Sequence, residues 1–87
     1  MQKDEARAML VETLDEAMGT LSDPRFFERL RRPDADLTLE ELEIDSLGVM
    51  DWQLRIEDRT GLDLDPGVIM RYGTLSELAD FIVLRMA

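Results

Sequence analysis

In the stretch LEELEIDSLGVMDW, residues 39–52, one hydroxyl group, Ser46, stands between Asp45 and Leu47 after a run of carboxylates. A serine so placed invites three kinds of chemistry: nucleophilic catalysis, metal binding by its acidic neighbours, or modification of the hydroxyl itself. Catalysis needs a general base and a group that orients it, most often histidine with a carboxylate. The chain has no histidine, its only lysine is Lys3, and no G-x-S-x-G elbow surrounds the serine. A hydrolase is excluded on those grounds. Metal binding fares no better. Asp34-x-Asp36-x-Thr38 begins like a calcium loop, but Leu39 falls where the turn demands glycine and Asp45 where a bidentate glutamate belongs. Modification is the chemistry that suits the place. A serine at the start of a helix faces unpaired backbone N–H groups and the positive end of the dipole, which favour a phosphodiester. Serine is also among the best helix N-caps, and the two uses are compatible.

The elements that must hold Ser46 follow from apolar spacing. Helical periodicity runs through the chain, and no alternating strand pattern occurs. Ala6, Met9, Leu10, Thr13, Leu14, Ala17, Met18 and Leu21 form one stripe of a long first helix. Ser22-Asp23-Pro24 supplies a cap residue and a proline for a short helix over Arg25–Leu30, with Phe26, Phe27 and Leu30 as its apolar contacts. Thr38 to Glu41 reads as a capping box closing a single turn. A second long helix is predicted from Ser46 to about Thr60, ended by Gly61, with one row of Leu47, Met50 and Leu54 and another of Val49, Trp52 and Ile56. Asp65-Pro66 starts a short helix through Tyr72, and Thr74 to Glu77 caps a final helix burying Leu75, Leu78, Ala79, Ile82, Val83 and Met86. The expected fold is all-α, a small four-helix bundle with three longer helices, a short third one, and an extra short helix in a long first connection.

Length and charge narrow the class. Eighty-seven residues make one small domain, 1–87, and the absence of cysteine removes disulfides and thiolate metal sites. No window approaches a membrane span and no apolar signal core opens the chain, so the expectation is a cytoplasmic protein. A net charge of −10 speaks against nucleic acid and anionic membranes as partners. Residues 34–65 hold eleven acids against Arg55 and Arg59, a charge of −9, so the excess surrounds Ser46. That concentration suits a docking face for basic partners, and it favours a monomer unless Phe26 and Phe27 are exposed.

The wording around the serine is more specific than its position. Glu43-Ile44-Asp45-Ser46-Leu47, approached by Leu39, Leu42 and Ile44 and followed by Ile56-Glu57-Asp58, resembles the phosphopantetheine attachment region of acyl carrier proteins. Asp65–Tyr72 is similar to that family's short third helix, and Thr74–Ile82 to the start of its last one. The resemblance implies a noncatalytic carrier. A phosphopantetheinyl transferase would place 4'-phosphopantetheine from coenzyme A on Ser46, and the arm's thiol would hold an acyl, aminoacyl or polyketide group as a thioester. Catalysis then belongs to loading enzymes, synthases and transferases with basic docking patches. It further implies that Asp45 and Leu47 help the transferase recognise the serine. Asp51, Glu57 and Asp58 would meet basic partner surfaces, Leu54 would make an apolar contact among them, and Tyr72 would touch a partner or the arm.

The sequence departs from carriers of fatty-acid synthesis at Gly48, Trp52, Gln53 and Arg55, and by the basic group Arg25, Arg29, Arg31 and Arg32. These departures point to a discrete carrier of a specialised pathway, of polyketide, nonribosomal-peptide or aminoacyl chemistry. Met9, Met18, Met50, Met70 and Met86 offer adaptable packing for a carried chain, whereas an inward Trp52 would fill that space. The alternative from another class is an acidic helical adaptor that binds a basic protein through residues 45–58 without a prosthetic group.

Overall fold

Five α-helices and one 3-10 turn make up the computed structural model, which describes residues 1–87. Helix α1 spans Lys3–Met18, and its first turn is tied by the Gln2 amide donating to Glu5 Oε1 at 3.0 Å. Gly19 ends it in the left-handed conformation, φ 66°, with its N–H returned to the Asp15 carbonyl. Helices α2 (Phe27–Arg31), α3 (Ser46–Thr60), α4 (Pro66–Ile69) and α5 (Leu75–Met86) follow. The chain is all-α, as expected. Its only strand-like feature is an antiparallel bridge between Thr38 and Thr74, where Leu39 N–H donates to Gly73 O and Leu75 N–H to Leu37 O.

Helix α1 packs against both α3 and α5, so its stripe forms the middle of the core. Ala6, Leu10, Thr13 and Leu14 are fully buried on it, and Val11, outside the predicted stripe, is buried too. Trp52 points inward and is wholly buried. Its indole N–H donates to Thr13 Oγ1 at 3.0 Å, and that hydroxyl donates in turn to the Met9 carbonyl at 2.8 Å. A threonine in an otherwise apolar stripe thus satisfies the one polar group of the largest core side chain.

Several expectations need correction. The second helix does not start at Arg25 with Ser22 as its cap. Thr20–Ser22 wind into the 3-10 turn, Asp23 accepts from the Arg25 amide at 2.9 Å, and α2 begins only at Phe27. Two adjacent capping residues compete there, and the aspartate wins by forming a tight local turn around Pro24. Phe26 and Leu30 are buried, but Phe27 is exposed with the Arg31 guanidinium 5.0 Å above its ring. Helix α4 closes at Ile69 rather than Tyr72, because Met70–Tyr72 continue as tight turns. Thr74 caps α5 by accepting from Glu77 N–H at 3.1 Å, yet Glu77 reaches back to Gly73 rather than Thr74. The methionines do not gather into a pliable interior: Met9 is buried, Met18 and Met86 pack at the core's edge, and Met50 and Met70 face outward.

Candidate functional site

Ser46 is the first residue of α3 and is exposed, but it does not cap the helix. Asp45 does, in extended conformation, its Oδ1 accepting from the Gly48 amide at 2.7 Å while its carbonyl accepts from Val49. The preference for Ser46 as cap fails because the aspartate one residue earlier has the extended φ and ψ that a cap requires, whereas Ser46 is already helical. The Ser46 hydroxyl is left without a partner in the chain, and the Ser46 and Leu47 amides find no acceptor either. An exposed oxygen nucleophile and two free N–H groups share the first turn of a 15-residue helix.

That turn is held tightly from below. A side chain on Gly48 would place its Cβ 2.7 Å from Met18 Sδ, 3.0 Å from Asp45 Oδ1 and 3.3 Å from Ile44 Cγ2. Gly48 therefore lets the end of α1 close against the start of α3, and any side chain there would have to displace the Met18 thioether. Upstream, Glu43 takes a left-handed φ of 52°, which turns the chain so that Ile44 packs inward and Asp45 meets the helix. Arg29 pairs with Glu41 through both carboxylate oxygens, Nη2 to Oε2 at 3.0 Å, and also donates to the Asp36 carbonyl. The Thr38 amide donates to the same Glu41 oxygen at 2.8 Å. Arg29 first, and then the Thr38 amide, pull the Glu41 carboxyl down to about 2. Helix α2 is in turn anchored by Arg7, which donates to the Leu30, Arg29 and Ala35 carbonyls at 3.2, 3.2 and 2.7 Å.

These bonds redraw the electrostatic picture. Two of the four arginines of the first connection are occupied: Arg29 is spent on Glu41, and Arg25 pairs with Asp23 at 2.8 Å and lies 3.6 Å from Glu43. Many acids are equally occupied. Asp36 accepts from the Leu37 and Ser76 amides, and Asp65 caps α4 through the Gly67 amide. Asp34, Glu40, Asp58 and Asp63 are left without a side-chain partner in the chain.

The residues named from sequence fall into two groups. Leu47, 78% exposed, and Leu54, 58% exposed, lie along the outward side of α3 together with Met50, 50% exposed. Asp45 stands at the head of this face, Asp58 is exposed toward its far end, and Asp51 is engaged by Arg55 Nε at 3.0 Å. Glu57 and Tyr72 are turned to other work. Glu57 Oε1 accepts from the Leu64 amide at 2.8 Å and from Gln53 Nε2, while Gln53 also donates to the Leu64 carbonyl at 2.7 Å. The pair pins the α3–α4 connection through Glu57 Oε1. Tyr72 is half-buried against Phe81, ring centroids 5.1 Å apart. The sequence did not place Pro66, Gly67 and Met70 beside Ser46, but they face it across a shallow groove of about 460 Å³ also lined by Ile44, Val49 and Met50. Met50 belongs to the row of Leu47 and Leu54 and faces outward with them.

A family model described as "Phosphopantetheine attachment site" matches residues 25–82. The chain belongs to that family. No curated protein and no solved structure matches it. As a member, it is a noncatalytic carrier that bears 4'-phosphopantetheine and deals with a phosphopantetheinyl transferase and with pathway enzymes. The carrier thus displaces the adaptor without a prosthetic group. Its serine end fits the cofactor: an unpartnered hydroxyl to esterify, free amides for a phosphodiester, and apolar walls beside them. No helix is long and apolar enough to cross a membrane.

Proposed function

We propose that Ser46 is the attachment residue, and that the carrier holds an acyl, aminoacyl or polyketide intermediate there for presentation to partner enzymes. The supporting observation is the division of labour at the head of α3. Asp45 caps the helix, so the Ser46 hydroxyl is exposed and has no structural duty. In the loading reaction the Ser46 oxygen bonds to phosphorus of coenzyme A, its proton passes to the transferase, and adenosine bisphosphate leaves. The arm supplies the thiol that this cysteine-free chain lacks. Ser46 and Leu47 amides steady the phosphodiester charge, and Asp45 keeps the turn rigid while the rest of the arm remains free to reach other active sites.

Leu47, Met50 and Leu54 give partners an apolar row, with the capping Asp45 at its head and Asp58 as its unpaired charge. A small apolar strip with few charges suits brief encounters, steered by electrostatics and released easily. Gly48, fixed by Met18, and the filled core favour a specialised pathway over fatty-acid synthesis. To test the attachment, the protein is treated with coenzyme A and a broad-specificity transferase, digested, and its modified peptide sequenced by mass spectrometry. The arm is expected on Ser46. Modification at Ser22 or Ser76, or none on folded protein, would refute the assignment.

A further inference from the structure

The groove beside Ser46 does not end at Met70. Ile44 and Met70 also form one wall of a second cleft, of about 650 Å³, which continues past Arg71 and Tyr72 to the Thr38–Thr74 bridge. Its rim is polar. Glu40 has no partner in the chain, Arg71 makes no ion pair, and Glu43 meets only Arg25, at 3.6 Å. The interior of the bundle offers nothing comparable. Trp52 fills the space between α1 and α3 with no exposed surface, its N–H is satisfied by Thr13, and neither residue lines the groove beside Ser46 or the second cleft.

We propose that the carried group rests outside the bundle, in the cleft between Glu40–Ile44 and Met70–Tyr72, and that this cleft suits a short, amino-bearing acyl group rather than a long aliphatic chain. The inference rests on attachment at Ser46, whose groove shares its Ile44–Met70 wall with the cleft. Two considerations select the cargo. An aliphatic chain gains by leaving water, and that gain requires an apolar cavity. With Trp52 in place the core has none, and the cleft's rim of Glu40, Glu43 and Arg71 gives poor cover to methylenes. A protonated amine, by contrast, meets the unpartnered Glu40 and a Glu43 held only loosely by Arg25 at 3.6 Å, on a chain of net charge −10. Tyr72, half-buried against Phe81, supplies a firm wall. Trp52 is thus a specificity-determining residue through what it excludes, and Glu40 and Glu43 through what they attract.

The test loads the full chain at Ser46 with amide-linked glycyl or octanoyl pantetheine, using the corresponding coenzyme A analogues, and compares each product with the plain phosphopantetheine form by two-dimensional NMR. The glycyl group is expected to shift the amides of Glu40, Glu43 and Arg71. Substituting Glu40→Gln with Glu43→Gln removes those shifts while the mass gain at Ser46 persists. The octanoyl group is expected to leave the Trp52 indole proton and the Leu10 and Ile82 methyls where they were. Octanoyl-dependent movement of those core signals would overturn the proposal with the Ser46 assignment intact. So would glycyl shifts that avoid the cleft or survive the double substitution. Failure of coenzyme A itself to add mass at Ser46 on folded protein would instead overturn the attachment, and the proposal with it.

Discussion

The two apolar rows of α3 contain similar side chains and have opposite fates. Trp52 and Ile56 are buried in the core and Val49 is buried beside the groove at Ser46, while Leu47, Met50 and Leu54 lie open to solvent on the same helix. Burial explains the first row: each such side chain contributes about 1.5–3 kcal/mol by leaving water. It cannot explain the second. Large apolar residues at half to three-quarters exposure, beginning one position after an unpartnered serine, gain only when something else covers them. One face of the helix holds the fold together, and the other is available to partners.

That contrast can be broken in graded steps. The largest loss of stability belongs to the inward row. Trp52→Ala removes the largest core side chain and leaves Thr13 without its indole donor. It should cost about 3–5 kcal/mol in urea unfolding, and a cost under about 1 kcal/mol would contradict the packing described. Next comes the cap between the two faces. Asp45→Ala frees the Gly48 amide and should cost about 0.5–2 kcal/mol, whereas Ser46→Ala should leave the melting temperature unchanged. An equal loss in the two variants would mean that the serine shares the capping. Smallest in stability is the outward row. Leu47→Ala and Leu54→Ala should each alter unfolding by no more than about 0.5 kcal/mol, yet lower the transferase's kcat/KM for the protein. Unchanged kinetics in both would remove the case for a docking face.

A fourth prediction concerns the loop that delivers the chain to Ser46. The Glu41 carboxyl is held at about 2, below its ordinary 4.5, chiefly by Arg29. Because the folded-state value is the lower one, the unfolded chain takes up the proton first. The stabilisation is therefore complete above pH 4.5 and disappears as pH falls toward 2. Glu41→Gln should flatten the decline of stability across that window, with most of the remaining slope left to the other acids. The same slope in wild type and variant would show that the Arg29 pair contributes nothing.

Much of this arrangement was legible in the sequence because local signals agreed with one another. Helix α3 begins at Ser46 and ends at Thr60 as predicted, since a capping residue, a sustained apolar period and a left-handed glycine all mark the same segment. The α5 cap at Thr74 was equally clear. The misreadings occurred where neighbours of similar chemistry compete or where distant groups meet. Asp45 and Ser46 are both good caps, and only backbone dihedrals reveal which one serves. Ser22 and Asp23 posed the same ambiguity. Glu57 reads as a surface acid until the chain returns and brings Leu64 N–H within 2.8 Å. Arg25 and Arg29 read as free charge until their carboxylate partners are folded beside them. The two rows of α3 were visible as rows, but the side facing α1 was not, because both are apolar.

Attachment of the arm to the free hydroxyl at the head of α3 is tested most directly by intact-protein mass after incubation with coenzyme A and a broad-specificity phosphopantetheinyl transferase, with wild type and Ser46→Ala matched for melting temperature. A gain of one phosphopantetheine on the wild type and none on an equally stable Ser46→Ala is the predicted result. A gain on both, or on neither while both are folded, would contradict it.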